Sequence, residues 1–270
     1  MACRDTIGMN TDIQAAAPEE TDAATPASAP ETGMMFFGVD SATRADALLQ
    51  NNLTQFEWAT RNKMQPNYWG RYIGGENAVT AEEIDFLHRQ GCKVAVLYNG
   101  YDKNALSLEA NGAIDGKKAV IAASELGIPA GTAIFLEISA QLTVTDAYLK
   151  GFAKALIEDG YTPGFCANTD ANFDFDHQFS RGCQNDPDIF GQCLIWAVSP
   201  SLDEYYQTTD AHLIHPDVWE PFCPSGMTRD QIAVWQYGRQ CHPLHDHAGN
   251  PTSFDVSLVK DPSILIGKLY

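Results

Sequence analysis

Short apolar segments alternate with longer amphipathic ones along most of this chain, and this alternation restricts the fold more than any other feature. Eight apolar segments have the length and composition of β-strands, and helical patterns separate most of them. The strand candidates are MMFFGVD, YWGRYIGG, KVAVLYNG, AIFLEIS, TPGFCANTD, CLIWAVSP, IAVWQYG and FDVSLVK. Strands that alternate with helices form a parallel sheet covered by helices. The pattern therefore predicts an α/β protein.

The helical segments have recognisable starts and stops. TAEEIDFLHRQG has a Thr cap at Thr80, acidic residues in its first turn and a stop at Gly91. Further helices are predicted in ADALLQNN, GKKAVIAASELG and TDAYLKGFAKALIEDG, and more weakly around residues 171–182. Eight strands with helices between them over about 240 residues predict a closed (β/α)8 TIM-like barrel, as a single domain over residues 34–270. A doubly wound open sheet is the alternative, but no Gly-x-Gly-x-x-Gly follows the first strand and no Walker-type loop occurs.

The first 33 residues have a different composition. Residues 1–33 are rich in Ala, Pro, Thr and acidic residues and contain few large apolar side chains. Such a segment cannot bury enough apolar surface to offset its ordering entropy. We therefore predict a disordered tail or linker that is dispensable for folding. It lacks the basic region and apolar core of a secretory signal, so no export signal is visible in it.

The charge balance limits the possible partners. Hydrophobic residues make up 44% of the chain and charged residues 19%, with a formal net charge of −18. Sequence-independent binding to nucleic acid or to an anionic membrane needs clustered Lys and Arg, so neither partner is expected. No segment has the roughly 18 consecutive apolar residues of a membrane-spanning helix. Glycans and small polar ligands remain compatible with this composition.

Polar side chains stand where the predicted strands end. In a (β/α)8 barrel the functional groups collect at the carboxyl ends of the strands. The residues at these ends are Asp40, Arg71, Tyr72, Tyr98, Asn99, Glu137, Ser139, Asn168, Ser199, Gln236, Tyr237 and Asp255, the last being nearer the start of its strand. A single one of them is more often structural than functional. Their coincidence across eight strands predicts one site.

The residue types at this site suit a sugar. Carboxyl groups supply acid/base chemistry and hydroxyl recognition, and flat rings stack on pyranose faces. The carboxyl groups are Asp40, Glu137 and Asp255, and the candidate rings are those of Trp69, Trp196, Trp235, Tyr72 and Tyr98. Ordinary core packing of the tryptophans is an equally good reading. Arg71 has an alternative structural role as the ion partner of Asp40 or Glu137.

Several segments together resemble a known family. FFGVDSAT, YWGRYIGG, VTAEEIDFLHRQGCKVAVLYNG, DGKKAVIAASELGIPAGTAIFLEIS, YLKGFAKALIEDGYTPGFCAN and IAVWQYG followed by FDVS occur in consistent order over about residues 34–262. They resemble the glycoside-hydrolase-like domain family of unknown function, which is related to the Chalaropsis-type lysozymes. The resemblance implies a TIM-like barrel, frequent export and association with cell walls, and an N-acetylated polysaccharide as the ligand.

The resemblance also assigns residues. The lysozyme relatives carry an Asp at the end of the first strand, matched by Asp40, and an Asp-x-Glu at the end of the fourth. Here Glu137 stands in place of that Asp and Ser139 in place of that Glu. A two-residue slip would make Glu137 the acid and put Phe135 in place of the Asp, so one carboxylate is missing in either register.

Two functions therefore remain open. The first is a glycoside hydrolase that uses Asp40 and Glu137, with substrate bound by Arg71, Tyr72, Tyr98, Asn168, Trp196, Trp235, Gln236 and Asp255. If hydrolysis persists, Glu137 is expected in a drier pocket than Asp40, because its pKa must rise for it to donate a proton. The alternative is a glycan-binding domain that has lost hydrolytic activity.

The cysteines and histidines carry weaker signals. Cys183 with Cys193 and Cys223 with Cys241 are candidate disulfides, while Cys92 and Cys166 read as buried thiols. The spacing of the histidines in CHPLHDHAGN fits no established metal motif, so an exposed loop is favoured there. No metal and no cofactor is predicted.

Overall fold

The computed structural model describes residues 35–75, 77–201, 203–204 and 218–270. The predicted tail, residues 1–33, lies outside the described residues. The strands are β1 (Phe36–Asp40), β2 (Tyr68–Tyr72), β3 (Lys93–Tyr98), β4 (Ala133–Ile138), β5 (Thr162–Ala167), β6 (Leu194–Ala197), β7 (Asp203–Glu204), β8 (Val234–His245) and β9 (Pro251–Val259). All eight predicted strands are present, and the two-residue β7 is additional.

Eight of these strands close into a barrel. Strands β1 to β6 are parallel neighbours in chain order, and β6 pairs in parallel with β8. Strand β9 then pairs antiparallel with both β8 and β1 and completes the ring. The predicted barrel is confirmed, but its eighth strand is antiparallel rather than parallel. The physical reason is the short turn between β8 and β9, since a parallel connection needs a crossover of a dozen or more residues.

The helices cover the outside of the barrel. They are α1 (Gln55–Arg61), α2 (Ala81–Arg89), α3 (Glu109–Glu125), α4 (Asp146–Glu158), α5 (Asp174–Asn185) and α6 (Pro187–Phe190). Thr80 caps α2 as predicted, because its side chain accepts a hydrogen bond from the Glu83 N–H. Among the described helices, none is long and apolar enough to cross a membrane.

The helix expected in ADALLQNN is absent. Leu48 and Thr54 form an antiparallel bridge there, and Asn52 has a φ of 62°, which an α-helix does not allow. The helix begins only after Thr54, whose side chain and that of Glu57 form a reciprocal capping box. The turn at Asn52 and the capping box at Thr54 therefore set the start of the helix, and the apolar spacing of the preceding residues does not.

The alternation of side chains along the strands creates two apolar layers. Tyr68, Leu97, Phe135 and Trp196 fill the inside of the barrel, whereas the outward-facing residues pack against the helices. Gly38 on β1 leaves room for Tyr68, because a Cβ atom at Gly38 would lie 2.0 Å from the tyrosine ring. The barrel interior is therefore filled, and a ligand has access only at its ends.

The expected disulfides do not form in the described part of the chain. Cys183, Cys193 and Cys223 are free thiols. The Cys223 Sγ donates to the Met227 carbonyl at 3.5 Å, so its predicted bond to Cys241 is wrong. Cys92 and Cys166 are buried thiols, as predicted. The loop expected around the histidines is in part wrong as well, because β8 extends to His245 and pairs with β9.

Candidate functional site

The carboxyl ends of the parallel strands form one end of the barrel, which we call the rim. Asp40 is the last residue of β1, and its register partner on β9 is Asp255. Residues paired directly across antiparallel strands have Cβ atoms about 5 Å apart. Because β9 runs antiparallel, a residue in the middle of that strand reaches the rim. The direction of β9 thus explains how Asp255 joins Asp40 there.

Asp40 is the most enclosed carboxyl group of the rim. It is 7% exposed, and its Oδ1 atom is buried with no hydrogen-bond partner among the described residues. Gly70 on β2 makes room for it, since a Cβ atom at Gly70 would lie 2.5 Å from the Asp40 Cβ. Burial, followed by the charges of Asp255 and Glu137, raises the pKa of Asp40 well above its ordinary value.

Asp255 is held by two donors from β8. The Gln236 side chain donates to Asp255 Oδ2 at 2.6 Å, and the Gln240 backbone N–H donates to Oδ1 at 2.7 Å. The second bond depends on an irregular stretch of β8, where bulges shift the register and Gln240 has a φ of 51°. Burial raises the pKa of Asp255, while these two donors and the Arg239 charge oppose the rise.

Glu137 is on β4, on the same inward-facing side as Phe135. The Asn99 Nδ2 atom donates to Glu137 Oε2 at 3.3 Å, and the Tyr72 hydroxyl also hydrogen-bonds to this carboxyl group. The side chain is partly exposed. Burial nevertheless raises its pKa, although the hydrogen bonds from Tyr72 and Asn99 oppose the increase.

Asp40, Glu137 and Asp255 thus share the rim with the cation of Arg239. The charge of Arg239 lowers the pKa of Asp40, Glu137 and Asp255, so its guanidinium lies within electrostatic reach of all three. Carboxyl groups that share a desolvated site cannot all ionise without strong repulsion. The arrangement therefore holds a proton more readily than an isolated carboxylate does, which is the property required of a general acid.

Glu137 was expected in a drier pocket than Asp40, and the reverse is found. Asp40 is enclosed by β1, β2 and β9, whereas Glu137 is partly exposed. The physical reason is the position of each residue along the barrel axis. Asp40 is packed against Gly70, where an added Cβ atom would lie 2.5 Å from the Asp40 Cβ and 3.2 Å from the ring of Trp196.

Arg71 does not face the rim. Its side chain is 0% exposed and makes a bidentate ion pair with Glu83 of α2, at 2.7 and 3.3 Å. It also donates to the Ser41 carbonyl oxygen at 2.6 Å. The predicted substrate contact is thus not supported. The alternative prediction, that Arg71 is a structural ion partner, is correct. Its partner, however, is Glu83 and not Asp40 or Glu137.

The tryptophans and Tyr98 are also placed away from a ligand. Trp196 and Trp235 are 0% exposed, and Tyr98 is 2% exposed. Trp196 plugs the barrel interior against Tyr68 and Phe135, while Trp235 faces the outer layer. A ring without an exposed face cannot stack on a sugar. These residues therefore pack in the core, as the alternative prediction for the tryptophans stated.

The remaining predicted residues lie at or beside the rim. Tyr72 and Asn168 are partly exposed, and Asn168 Oδ1 accepts from the Ser199 hydroxyl at 2.6 Å. Gln236 is buried and serves Asp255. Ser139 is exposed beside Tyr101, whose hydroxyl it contacts. The sequence did not predict that Arg239 lies near the rim carboxyl groups or that Gln240 donates to Asp255. Both depend on the bulges of β8, for which the sequence contains no local pattern.

Sequence comparison identifies the architecture as that of a known family. The family model described as "Rv2525c-like, glycoside hydrolase-like domain" matches residues 58–242. The chain belongs to this family. No curated protein matches it. The match covers β2 to β6 and most of β8, and it includes Tyr72, Asn99, Glu137 and Gln236 at the rim.

Solved structures share the fold of this glycoside hydrolase-like domain. An uncharacterized protein from B. stearothermophilus is 26% identical, with a TM-score of 0.70, and the alignment covers 87% of this chain and 100% of that chain. The spore cortex lytic enzyme SleM from Clostridium perfringens is 10% identical, with a TM-score of 0.52, and the alignment covers 87% of this chain and 71% of that one. At this identity the likeness to SleM concerns the fold alone.

Proposed function

We propose that the rim of this glycoside hydrolase-like domain binds an N-acetylated, cell-wall-type polysaccharide and hydrolyses its glycosidic bonds. The observation that carries the proposal is the convergence of Asp40, Glu137 and Asp255 on one barrel end, with raised pKa values and the guanidinium of Arg239 nearby. Glycoside hydrolysis needs one carboxyl group that is protonated and another that is ionised near neutral pH.

Glu137 is the proposed general acid. It is partly exposed, so a glycosidic oxygen has access to it, and burial raises its pKa. Tyr72 and Asn99 hold its orientation through hydrogen bonds. A carboxylic acid that combines access with a raised pKa is the group expected to protonate a leaving oxygen.

The Asp40–Asp255 pair supplies the ionised carboxyl group. Asp255 accepts two short hydrogen bonds, which favour its ionised form, whereas the enclosed Oδ1 of Asp40 accepts none from the described residues. One negative charge on this pair stabilises the positive charge that develops on the sugar ring. Glu137 gives its proton to the leaving oxygen, and the bond between that oxygen and the anomeric carbon breaks. Water adds to this carbon and its released proton restores the acid, so one water is consumed.

Glycan binding without hydrolysis is the second candidate. The observation that favours it is Ser139, which occupies the position where the resemblance to lysozymes expects a proton-donating Glu. A serine hydroxyl does not serve as a carboxylic acid near neutral pH. In this case the rim carboxylates recognise sugar hydroxyls, and the domain anchors to a glycan at the cell envelope. Both candidate functions place the protein at the cell envelope.

One pair of variants distinguishes the candidates. We expect the wild type to release reducing ends from an N-acetylated cell-wall glycan, and Glu137→Gln to reduce turnover by about 100-fold or more. The amide keeps the shape of the side chain, so binding of the glycan is expected to persist. Glu158→Gln, on the exposed surface of α4, is the matched control and should leave turnover unchanged.

The other outcomes are equally informative. Binding by the wild type without any turnover would replace the hydrolase proposal with the glycan-binding one. If Glu137→Gln cleaved the glycan as fast as the wild type, Glu137 would not be the acid. Absence of both turnover and binding across a panel of such glycans would overturn both candidates.

A further inference from the structure

Just inside the rim, the barrel contains a second polar layer that has no part in the reaction proposed above. Asp40 and Gly38 lie on the same face of β1, because side chains two residues apart in a strand point the same way. Their register partners on β9 are Asp255 and Ser257. On the other side of β1, the register partner of Gly38 is Tyr68 of β2. A tyrosine and a serine therefore lie one step further into the barrel than the carboxyl pair.

The hydroxyl end of the Tyr68 ring lies over Gly38. A Cβ atom at Gly38 would lie 2.0 Å from Cζ of Tyr68, the ring atom that carries the hydroxyl group. The hydroxyl group thus takes the place that a side chain at position 38 would fill. On one side of this place is Asp40, two residues along β1, and on the other is Ser257, directly across on β9.

The hydrogen-bond donors and acceptors of this layer match one another. Tyr68 and Ser257 are 0% exposed and Asp40 is 7% exposed, so protein groups must supply most of their hydrogen bonds. The Ser257 hydroxyl lies within hydrogen-bonding reach of the Tyr68 hydroxyl. Two paired hydroxyl groups use one hydrogen between them and keep the other for a third group. Asp40 Oδ1 is a buried acceptor without a hydrogen-bond partner among the described residues.

Asp40 and Tyr68 also act on each other electrostatically. Burial raises the pKa of the Tyr68 hydroxyl well above its ordinary value, and the charge of Asp40 raises it further. The hydroxyl group therefore keeps its hydrogen over the pH range in which a carboxyl group titrates. The other titratable and charged groups within electrostatic reach of Asp40 are Asp255 of β9, Glu137 of β4, Cys166 of β5 and Arg239 of β8.

We propose that Tyr68 is a positioning residue of the candidate active site, whose hydroxyl donates a hydrogen bond to Asp40 Oδ1 when Asp40 is ionised, while Ser257 holds this hydroxyl in place. The bond stabilises a negative charge on Asp40. The charge of the Asp40–Asp255 pair can then reside on either carboxyl group. The hydrogen bond follows from the buried layer alone, whereas its effect on catalysis rests on the proposed function.

A double-mutant cycle of Tyr68→Phe and Asp40→Asn tests the hydrogen bond by denaturant unfolding between pH 4 and pH 9. Phenylalanine keeps the ring over Gly38 and removes only the hydroxyl group. Loss of the donor raises the folded pKa of Asp40 further, so more stability is lost as pH rises through it. We expect the decrease in the folding equilibrium constant caused by Tyr68→Phe to be about tenfold larger at pH 9 than at pH 4. In the Asp40→Asn background the decrease should not depend on pH.

Tyr161→Phe is the matched control. The Tyr161 side chain is also buried, but its hydroxyl donates to the Ile128 carbonyl at 2.8 Å, at the start of β5 and away from the rim. Its cost should therefore be the same at pH 4 and pH 9. Ser257→Ala should show the pH dependence of Tyr68→Phe to a smaller degree, because the Tyr68 hydroxyl remains but is no longer held.

The pH profile of turnover gives a second measurement. If the rim hydrolyses the glycan, the limb of the profile that reports the ionised carboxyl group should move to higher pH in Tyr68→Phe and stay in place in Tyr161→Phe. A purely structural role of Tyr68 would lower the amount of folded protein without moving this limb.

The failures of the two proposals differ. A cost of Tyr68→Phe that does not change with pH, or that changes equally in the Asp40→Asn background, would overturn the hydrogen bond and leave ring packing as the role of Tyr68. The same pH dependence in Tyr161→Phe would also reject it. None of these results bears on turnover, so the hydrolase proposal would stand. A wild type that neither cleaves nor binds the glycan would reject the proposed function, and with it the catalytic role of Tyr68, but not the hydrogen bond that the cycle measures.

Discussion

Asp40 of β1 and Asp255 of β9 are direct register partners across an antiparallel strand pair, and both carboxyl groups belong to the rim. Two carboxyl groups in this relation repel each other when both are ionised. The two carboxyl groups nevertheless differ in the hydrogen-bond donors around them. Asp255 receives donors from Gln236 and Gln240, whereas the buried Oδ1 of Asp40 receives none from the described residues.

This relationship predicts how stability depends on pH. The pKa of Asp40 is raised in the folded protein, so the folded state binds more protons than the unfolded state above the unfolded pKa of about 3.9. Its contribution to the free energy of unfolding therefore falls as pH rises through the folded pKa. Asp40→Asn removes this titration, and we expect the variant to gain stability relative to the wild type as pH rises.

Chemical denaturation between pH 4 and pH 9 measures this difference. Asp85→Asn, at an exposed position of α2, is the control for the loss of one carboxylate. A difference between Asp40→Asn and the wild type that did not change with pH would show that the pKa of Asp40 is not raised.

The Gln236 side chain provides a second prediction. Gln236→Leu removes the donor to Asp255 Oδ2 and leaves a partly buried carboxylate oxygen without that partner. We expect a loss of about 1–3 kcal/mol in the free energy of unfolding at pH 7. The loss should be smaller at pH 4. The lost hydrogen bond favoured the charged form, so the variant folds with Asp255 protonated more readily.

Denaturant unfolding at the two pH values tests this expectation, with Gln50→Leu as a control on the exposed surface. An equal loss at pH 4 and pH 7 would indicate a packing defect instead of a lost hydrogen bond to a carboxylate.

The Arg71–Glu83 ion pair gives a third prediction. Both side chains are 0% exposed, so removal of one leaves the other as an uncompensated buried charge. We expect Arg71→Met to lower the free energy of unfolding by about 3–5 kcal/mol. The double variant Arg71→Met with Glu83→Leu should recover more than half of that loss, because it removes both charges.

A double-mutant cycle measured by denaturant unfolding provides the coupling energy. Additive losses would mean that the two side chains do not stabilise each other. If Arg71 acted on a ligand instead, Arg71→Lys would weaken glycan binding per folded molecule, which its complete burial does not predict.

The sequence by itself determined the barrel, and it predicted that polar residues from several strands lie together at one end of it. Each strand had a clear apolar segment, and the carboxyl ends of parallel strands meet at one end of a barrel. The strand pattern therefore predicted that the chain positions of Asp40 and Glu137 meet at one rim. The N-terminal cap of α2 was also readable, because capping depends on residues within one turn of each other.

Only the tertiary structure decided which member of each neighbouring pair serves the rim. Adjacent residues of a strand point to opposite faces, so Arg71 and Tyr72, or Trp235 and Gln236, cannot both face inward. The sequence at the strand ends offers both members. Tyr72 and Gln236 face inward, because the register of neighbouring strands fixes the face on which each side chain lies.

The electrostatics of the site were also decided by long-range pairing. Asp255 follows Asp40 by more than two hundred residues, and only the antiparallel direction of β9 makes them partners. Arg239 and Gln240 act there because bulges shift the register of β8 against β9. Apolar periodicity and capping are local properties of a chain. Register, burial and the charges around a carboxyl group depend on residues that are distant in sequence, and folding alone brings them together.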